Sequence, residues 1–118
     1  MGFLDRMRKR PKTAPELDRL MLRDLKGAGA DLTRPRHVIH YLYFADEAVA
    51  RRAASVIESG GYDVSLTPPT DEIREWSVRA ESTRVVDETT VDAFRAWFEE
   101  VAADHGGEYD GWEAAAQP

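Results

Sequence analysis

The run of residues 37–44, His-Val-Ile-His-Tyr-Leu-Tyr-Phe, constrains the fold of this chain more than any other segment. Apart from two histidines its residues are β-branched, aromatic or aliphatic. Such a run is typical of a strand at the centre of a sheet, with both faces at least partly covered. The chain is therefore expected to build a sheet around residues 37–44 and to cover that sheet with helices.

A helix is predicted before this strand. The segment Thr13-Ala-Pro-Glu16 has the spacing of a capping box, with a proline in the first turn, where a missing N–H costs nothing. Gly27 and Gly29 are expected to end this helix. The apolar residues between recur at helical spacing and predict a buried stripe formed by Leu17, Leu20, Met21 and Leu25.

Two more helices and three more strands are predicted after residue 44. Asp46 is expected to cap a helix that stops at Gly60-Gly61 and buries Val49, Ala53, Val56 and Ile57. Apolar and polar residues then alternate in two strands, around residues 62–66 and 76–80, joined by a proline-rich hairpin loop. Asp87 is expected to cap a third helix, whose buried face is Val91, Phe94, Phe98, Val101 and Ala102. Residues 108–114 are the last predicted strand.

The order of elements after the leading helix is β-α-β-β-α-β. This order predicts an α+β, ferredoxin-like sandwich with a four-stranded antiparallel sheet and two helices on one face. With 118 residues, 42% hydrophobic and 32% charged, the chain is expected to form one soluble domain over residues 13–118, after a basic, flexible arm at residues 1–12. No apolar run approaches the roughly 20 residues of a membrane span, so we expect a cytoplasmic protein without stable membrane insertion.

Charge is distributed unevenly along the chain. Residues 1–12 carry a net charge of +4, whereas residues 58–118 contain fifteen acidic and four basic residues, a net charge of −11. A segment with this charge repels phosphate backbones and attracts an Arg- or Lys-rich partner. A second interpretation is that the acidic residues only keep the protein soluble.

Three stretches together carry a family resemblance: Gly27-Ala-Gly-Ala-Asp-Leu32, the strand His40–Phe44 and, above all, Glu108-Tyr-Asp-Gly-Trp-Glu113. They resemble the regulator of ribonuclease E activity B family, over essentially the whole chain except the basic arm. The resemblance implies a ferredoxin-like, non-catalytic protein. Members of this family bind the Arg-rich non-catalytic region of ribonuclease E and so alter messenger-RNA decay. The implied partner is therefore a ribonuclease with a basic segment.

The last strand holds most of the residues expected to bind that partner. In a regular strand, Tyr109 and Gly111 would point to one face and Asp110 and Trp112 to the other. We hypothesise that Trp112 or Tyr109 is partly exposed beside acidic groups and anchors an Arg-rich segment. The residues predicted to bind the partner are Glu99, Glu100, Glu108, Tyr109, Asp110, Trp112 and Glu113.

A competing interpretation gives the same strand a purely structural role. Trp112 would then fill the core, and Gly111 would make room for a neighbouring ring such as Tyr41 or Tyr43. His40, Gly111 and Trp76 are predicted to have structural roles, His40 as a hydrogen-bonded histidine of the core.

The remaining polar motifs do not indicate catalysis or metal binding. His37 and His40 are three residues apart on a strand, so their side chains diverge, and the chain has no cysteine. It also has no nucleophile elbow and no glycine loop of the phosphate-binding types. No catalytic residue, cofactor or metal ligand is therefore predicted.

Two alternatives remain for the function. The first is a ferredoxin-like RNA-binding module, which stacks bases on aromatic residues of its central strands; Tyr41, Tyr43 and Trp76 are the candidates here. The charge, and the lack of a basic-glycine-aromatic pattern around residues 74–79, argue against direct nucleic-acid binding. The second alternative is a generic interaction domain with a different basic partner.

Overall fold

A computed structural model describes residues 13–116, so the predicted arm at residues 1–12 lies outside the described residues. The described chain forms, in order, α1 (Ala14–Gly27), β1 (Pro35–Phe44), α2 (Glu47–Ser59), β2 (Asp63–Thr67), β3 (Trp76–Val85), α3 (Glu88–Asp104) and β4 (Glu108–Ala114). None of these helices is long and apolar enough to cross a membrane.

The four strands form one antiparallel sheet in the order β2-β3-β1-β4. β1 is a central strand, as its apolar run predicts, because it pairs with β3 along one side and with β4 along the other. Its side chains at Val38, His40, Leu42 and Phe44 are fully buried beneath the helices. The other face of the sheet is open. This arrangement confirms the predicted ferredoxin-like sandwich preceded by an additional helix.

The helices begin where the capping residues predict. The Thr13 hydroxyl accepts a hydrogen bond from the backbone N–H of Glu16, and the Glu16 carboxylate accepts one from the backbone N–H of Thr13. Asp46 and Asp87 each accept a backbone N–H of the following helix at 2.9 Å. These bonds satisfy donors that the first turn of a helix leaves unpaired, so each helix start is determined locally.

The core lies between the helices and the sheet. Its largest fully buried side chains include Phe44, Phe98, Leu42, Ile57 and His40. The predicted face of α3 is buried as expected. Two other core predictions are wrong, because Leu17 of α1 is 50% exposed and Val56 of α2 is 39% exposed.

The face that α1 buries differs from the predicted leucine stripe. The buried residues of α1 are Asp18, Leu22 and Leu25. Asp18 is drawn inward because its carboxylate binds the side chains of Arg95 and Trp112. With the side of α1 that carries Asp18 facing the core, Leu17 lies on the surface.

Candidate partner-binding surface

The last strand contains a β-bulge that changes which way its aromatic residues point. Tyr41 lies opposite Gly111 and Leu42 lies opposite Tyr109, so Asp110 is an extra residue without a partner on β1. Gly111 has a φ of +121°, a conformation that glycine adopts at little cost. The bulge places both Tyr109 and Trp112 on the helix-covered side, so the prediction of strict alternation along this strand is wrong.

Tyr109 is buried in the core rather than exposed to a partner. Its hydroxyl forms a 2.8 Å hydrogen bond with Nδ1 of His40, and its ring stacks on Phe98. Burial lowers the pKa of His40 to about 3 and raises the pKa of Tyr109, so both groups are neutral at physiological pH. This geometry confirms the prediction that His40 is a hydrogen-bonded histidine of the core.

Trp112 is also buried, and it links β4 to the N-terminal helix. Its indole Nε1 donates to Asp18 Oδ1 at 2.8 Å, and Arg95 Nη2 donates to the same carboxylate oxygen at 2.9 Å. The expectation that Trp112 or Tyr109 is partly exposed is therefore wrong. Of the competing interpretation, the part in which Trp112 fills the core is confirmed. Trp76 is half-buried and packs against the same core.

Gly111 is required for its backbone conformation and not because an aromatic ring crowds it. A Cβ atom built at this position would have its nearest described neighbour at Arg95 Nη2, 4.0 Å away. The expectation that Gly111 makes room for Tyr41 or Tyr43 is therefore wrong.

The open face of the sheet carries two tyrosines between carboxylates. Tyr41 and Tyr43 alternate with buried neighbours on β1 and point away from the helices. The Tyr41 hydroxyl donates to Glu113 Oε1 at 2.7 Å, and the Tyr43 hydroxyl approaches Asp110 Oδ2 at 3.5 Å. Glu108 lies opposite Tyr43 on β4. We call Tyr41, Tyr43, Glu81, Glu108, Asp110 and Glu113 the acidic tyrosine face.

The carboxylates of this face contribute to raised pKa values of the two tyrosine hydroxyls. The hydrogen bond to Glu113 is the main cause that raises the pKa of Tyr41. Desolvation, followed by the negative charge of Asp110, raises the pKa of Tyr43. Both hydroxyls therefore stay neutral donors at physiological pH.

The residues predicted to bind a partner are divided between three places. Glu108, Asp110 and Glu113 lie on the acidic tyrosine face, and Tyr109 and Trp112 lie in the core. Glu99 and Glu100 are exposed on α3, in the helical layer, and Glu99 forms an ion pair with Arg95 at 2.8 Å.

Sequence reasoning did not assign Tyr41 and Tyr43 to this surface as partner-binding residues, although one signal was present. Residues 40–44 alternate between side chains that the structure buries and side chains that it leaves half-buried. The uniformly apolar character of the run hides this period of two, because tyrosine counts as apolar.

Charge on the open face is strongly negative. Of the side chains that the four described strands place there, five are carboxylates and one, Arg79, is a guanidinium; the carboxylates belong to Asp63, Glu81, Glu108, Asp110 and Glu113. Arg79 is partly neutralised by Glu81, at 3.3 Å. The other acidic residues of the second half of the chain lie on helices or in loops; among them, the negative charge of Glu75 also acts on Tyr43.

The two histidines of β1 diverge as predicted. His37 Nε2 lies 2.9 Å from Glu81 Oε1 on the open face, whereas His40 is buried on the helical side. Within residues 13–116 no group of three or more histidine, aspartate and glutamate side chains is arranged to hold a metal ion.

The chain was also compared with known proteins. The family model described as regulator of ribonuclease activity B matches residues 16–114, which cover all four strands and nearly all of α1. A search of curated proteins found no match.

Proposed function

Because the chain belongs to the regulator of ribonuclease activity B family, we propose that it regulates a ribonuclease, without catalysis of its own, by binding a basic segment of that enzyme on the acidic tyrosine face. The observation that carries this proposal is the placement of Tyr41 and Tyr43 between carboxylates on an open sheet face. We place the encounter in the cytoplasm, where ribonucleases act on messenger RNA.

The chemistry of the face suits arginine in particular. A guanidinium stacks on a tyrosine ring and also donates two parallel hydrogen bonds to a carboxylate. Tyr41 and Tyr43 each have a carboxylate within reach of the hydroxyl, at Glu113 and Asp110 respectively. Each tyrosine can therefore form a two-part site for one arginine side chain.

The spacing of the two tyrosines suits an extended segment. Residues two apart on a strand are separated by about 7 Å, and every second side chain of an extended peptide has the same separation. A basic segment lying along β1 would bring alternate arginines to Tyr41 and Tyr43. The negative charge of Glu81 and Glu108 would also accelerate the encounter.

RNA binding is the second candidate, because Tyr41 and Tyr43 occupy the open face of a central strand, where RNA-recognition domains stack bases. The carboxylates around both rings oppose this function, since they would lie against the phosphate backbone. Trp76, the third predicted stacking residue, packs against the core and is not part of this face. The basic segment is therefore the favoured partner.

The test compares two variants that lose the same number of negative charges. The first is Glu108→Gln/Asp110→Asn/Glu113→Gln, on the acidic tyrosine face. The second, Glu47→Gln/Glu58→Gln/Asp104→Asn, removes exposed carboxylates of α2 and α3 in the helical layer. Binding of a fluorescent Arg-rich peptide from the ribonuclease is measured by anisotropy.

The face variant is expected to bind about 10- to 100-fold more weakly, because three charge-assisted contacts are lost. The matched variant should change the affinity by less than about threefold through long-range charge alone. Equal losses in both variants would mean that net charge and not this face binds the peptide. Tight binding of single-stranded RNA with a steep salt dependence would favour the RNA-binding alternative.

A further inference from the structure

A second concave site lies in the helical layer, away from the acidic tyrosine face. It is a cavity of about 590 Å³ between the C-terminal end of α2 and the N-terminal half of α3. This volume is in the range of pockets that hold small molecules. Its walls include the aromatic side chains of Tyr62, Phe94 and Trp97, and the hydroxyl residues Ser59 and Thr90 also line it.

Two adjacent glycines allow the main walls of the cavity to approach each other. A Cβ atom at Gly60 would lie 2.8 Å from the Trp97 ring, and one at Gly61 would lie 3.4 Å from Arg84 Nη2. Trp97 in turn stacks on Tyr62, with ring centroids 5.7 Å apart. The Gly60-Gly61 pair therefore ends α2 and also lets an indole and a guanidinium line one cavity.

Arg84 gives the cavity a fixed positive charge. Its guanidinium lies over the Tyr62 ring, 4.1 Å from the centroid, and donates to the Gly60 carbonyl at 2.9 Å and to the Ser82 hydroxyl at 3.0 Å. Within residues 13–116 no carboxylate forms an ion pair with Arg84, and no other charged residue lines the cavity. An arginine has five N–H donors, and two bonds leave several of them for an anion.

We propose that this cavity binds a small aromatic anion, with its planar ring against Trp97 and its carboxylate or phosphate group on Arg84. The aromatic walls supply apolar contact, and the single cation selects a negatively charged group in a region of the chain that is otherwise acidic. The proposal does not depend on the ribonuclease partner, because the cavity and the acidic tyrosine face share no residue.

The test uses naphthoate and naphthyl phosphate as probes of the two anionic groups, with naphthalenemethanol as the neutral analogue. Two-dimensional NMR of the isotope-labelled full chain follows the Trp97 indole N–H and the backbone amides of residues 59–62. At least one anionic probe should give saturable shifts there, and the neutral analogue should bind at least about tenfold more weakly. No shifts with either anion up to about 5 mM, or equal binding of the neutral analogue, would overturn the proposal.

Variants locate the binding in the cavity. Arg84→Gln should weaken binding of the anion at least about tenfold, through loss of the charge-assisted bonds. Arg84 also donates to the Gly60 carbonyl, so its replacement could change the cavity itself. A second variant therefore keeps Arg84 and fills the cavity with a larger side chain from the exposed surface of α3, Ala93→Phe. Ala96→Phe, on the same helix but outside the cavity, is the matched control. Unchanged binding in Ala93→Phe would contradict the assignment.

Discussion

Replacing the buried pair His40 and Tyr109 together with phenylalanine is expected to make the protein more resistant to mild acid. His40 is fully buried, and the only hydrogen bond of its side chain within the described residues joins Nδ1 to the Tyr109 hydroxyl. Burial lowers its pKa from 6.5 to about 3, with smaller contributions from the positive charges of Arg84 and Arg95. The folded state therefore holds His40 neutral under conditions in which an unfolded chain would protonate it.

The sign of the pH dependence follows from this difference. Between pH 6.5 and pH 3 the unfolded state binds a proton that the folded state does not, so stability falls as the pH falls through this window. Each pH unit below the unfolded value costs about 1.4 kcal/mol. His40 alone should therefore lower the free energy of unfolding by about 2 kcal/mol between pH 7 and pH 5.

The assay is urea denaturation of the wild type and of His40→Phe/Tyr109→Phe at several pH values between about 7 and 5. The double variant removes both polar partners at once, so neither is left buried and unpaired, and its stability at neutral pH should be close to that of the wild type. Its loss of stability in acid should be smaller than that of the wild type by about 2 kcal/mol. All other ionisable residues are the same in both proteins, so the comparison isolates the replaced pair.

The single variant His40→Phe separates the two effects. It leaves the Tyr109 hydroxyl buried without its partner, which should cost about 1–3 kcal/mol at every pH. The acid-dependent loss should nevertheless be as small as in the double variant. If either variant loses stability between neutral pH and pH 5 as steeply as the wild type, His40 is not the group responsible and the reasoning fails.

Two further predictions concern the contacts that hold the last strand in place. Asp18→Ala should lower the free energy of unfolding by about 2–4 kcal/mol, because it leaves the indole N–H of Trp112 buried without its acceptor and leaves the largely buried guanidinium of Arg95 with only Glu99 as an ionic partner among the described residues. Urea denaturation of Asp24→Ala, an exposed position on the same helix, supplies the control, and equal losses would contradict this account. Gly111→Ala should cost about 1–3 kcal/mol because its φ of +121° strains any other residue; a thermal midpoint equal to that of the wild type would show that the bulge tolerates a side chain.

Elements determined by neighbouring residues could be predicted from the sequence. The buried face of α3 was predicted correctly because its five buried residues recur at helical spacing. The helix starts were predicted correctly because the capping side chains of Thr13, Asp46 and Asp87 bind backbone groups of their own first turns. The central position of β1 followed in the same way from one apolar run. These features give the order of the elements and hence the fold.

The features that could not be predicted depend on residues far apart in the chain. The residues around Asp18 in the sequence give no sign that it is buried, because its partner Arg95 lies 77 positions later in the chain. The orientation of Trp112 depends on a single unpaired residue, Asp110, because one extra residue reverses every side chain beyond it. From the sequence, Gly111 was expected to make room for a neighbouring ring, and the bulge that leaves Asp110 unpaired was not predicted.

The alternation along β1 separates two kinds of evolutionary constraint. Leu42 and Phe44 can change only if the helices that cover them change as well, since they are fully buried. Tyr41 and Tyr43 alternate with them along β1 and point to the opposite face of the sheet. A substitution at either tyrosine therefore disturbs no packing beneath the helices. A lineage can therefore exchange the chemistry of its outward side chains and acquire a new target while the fold stays the same.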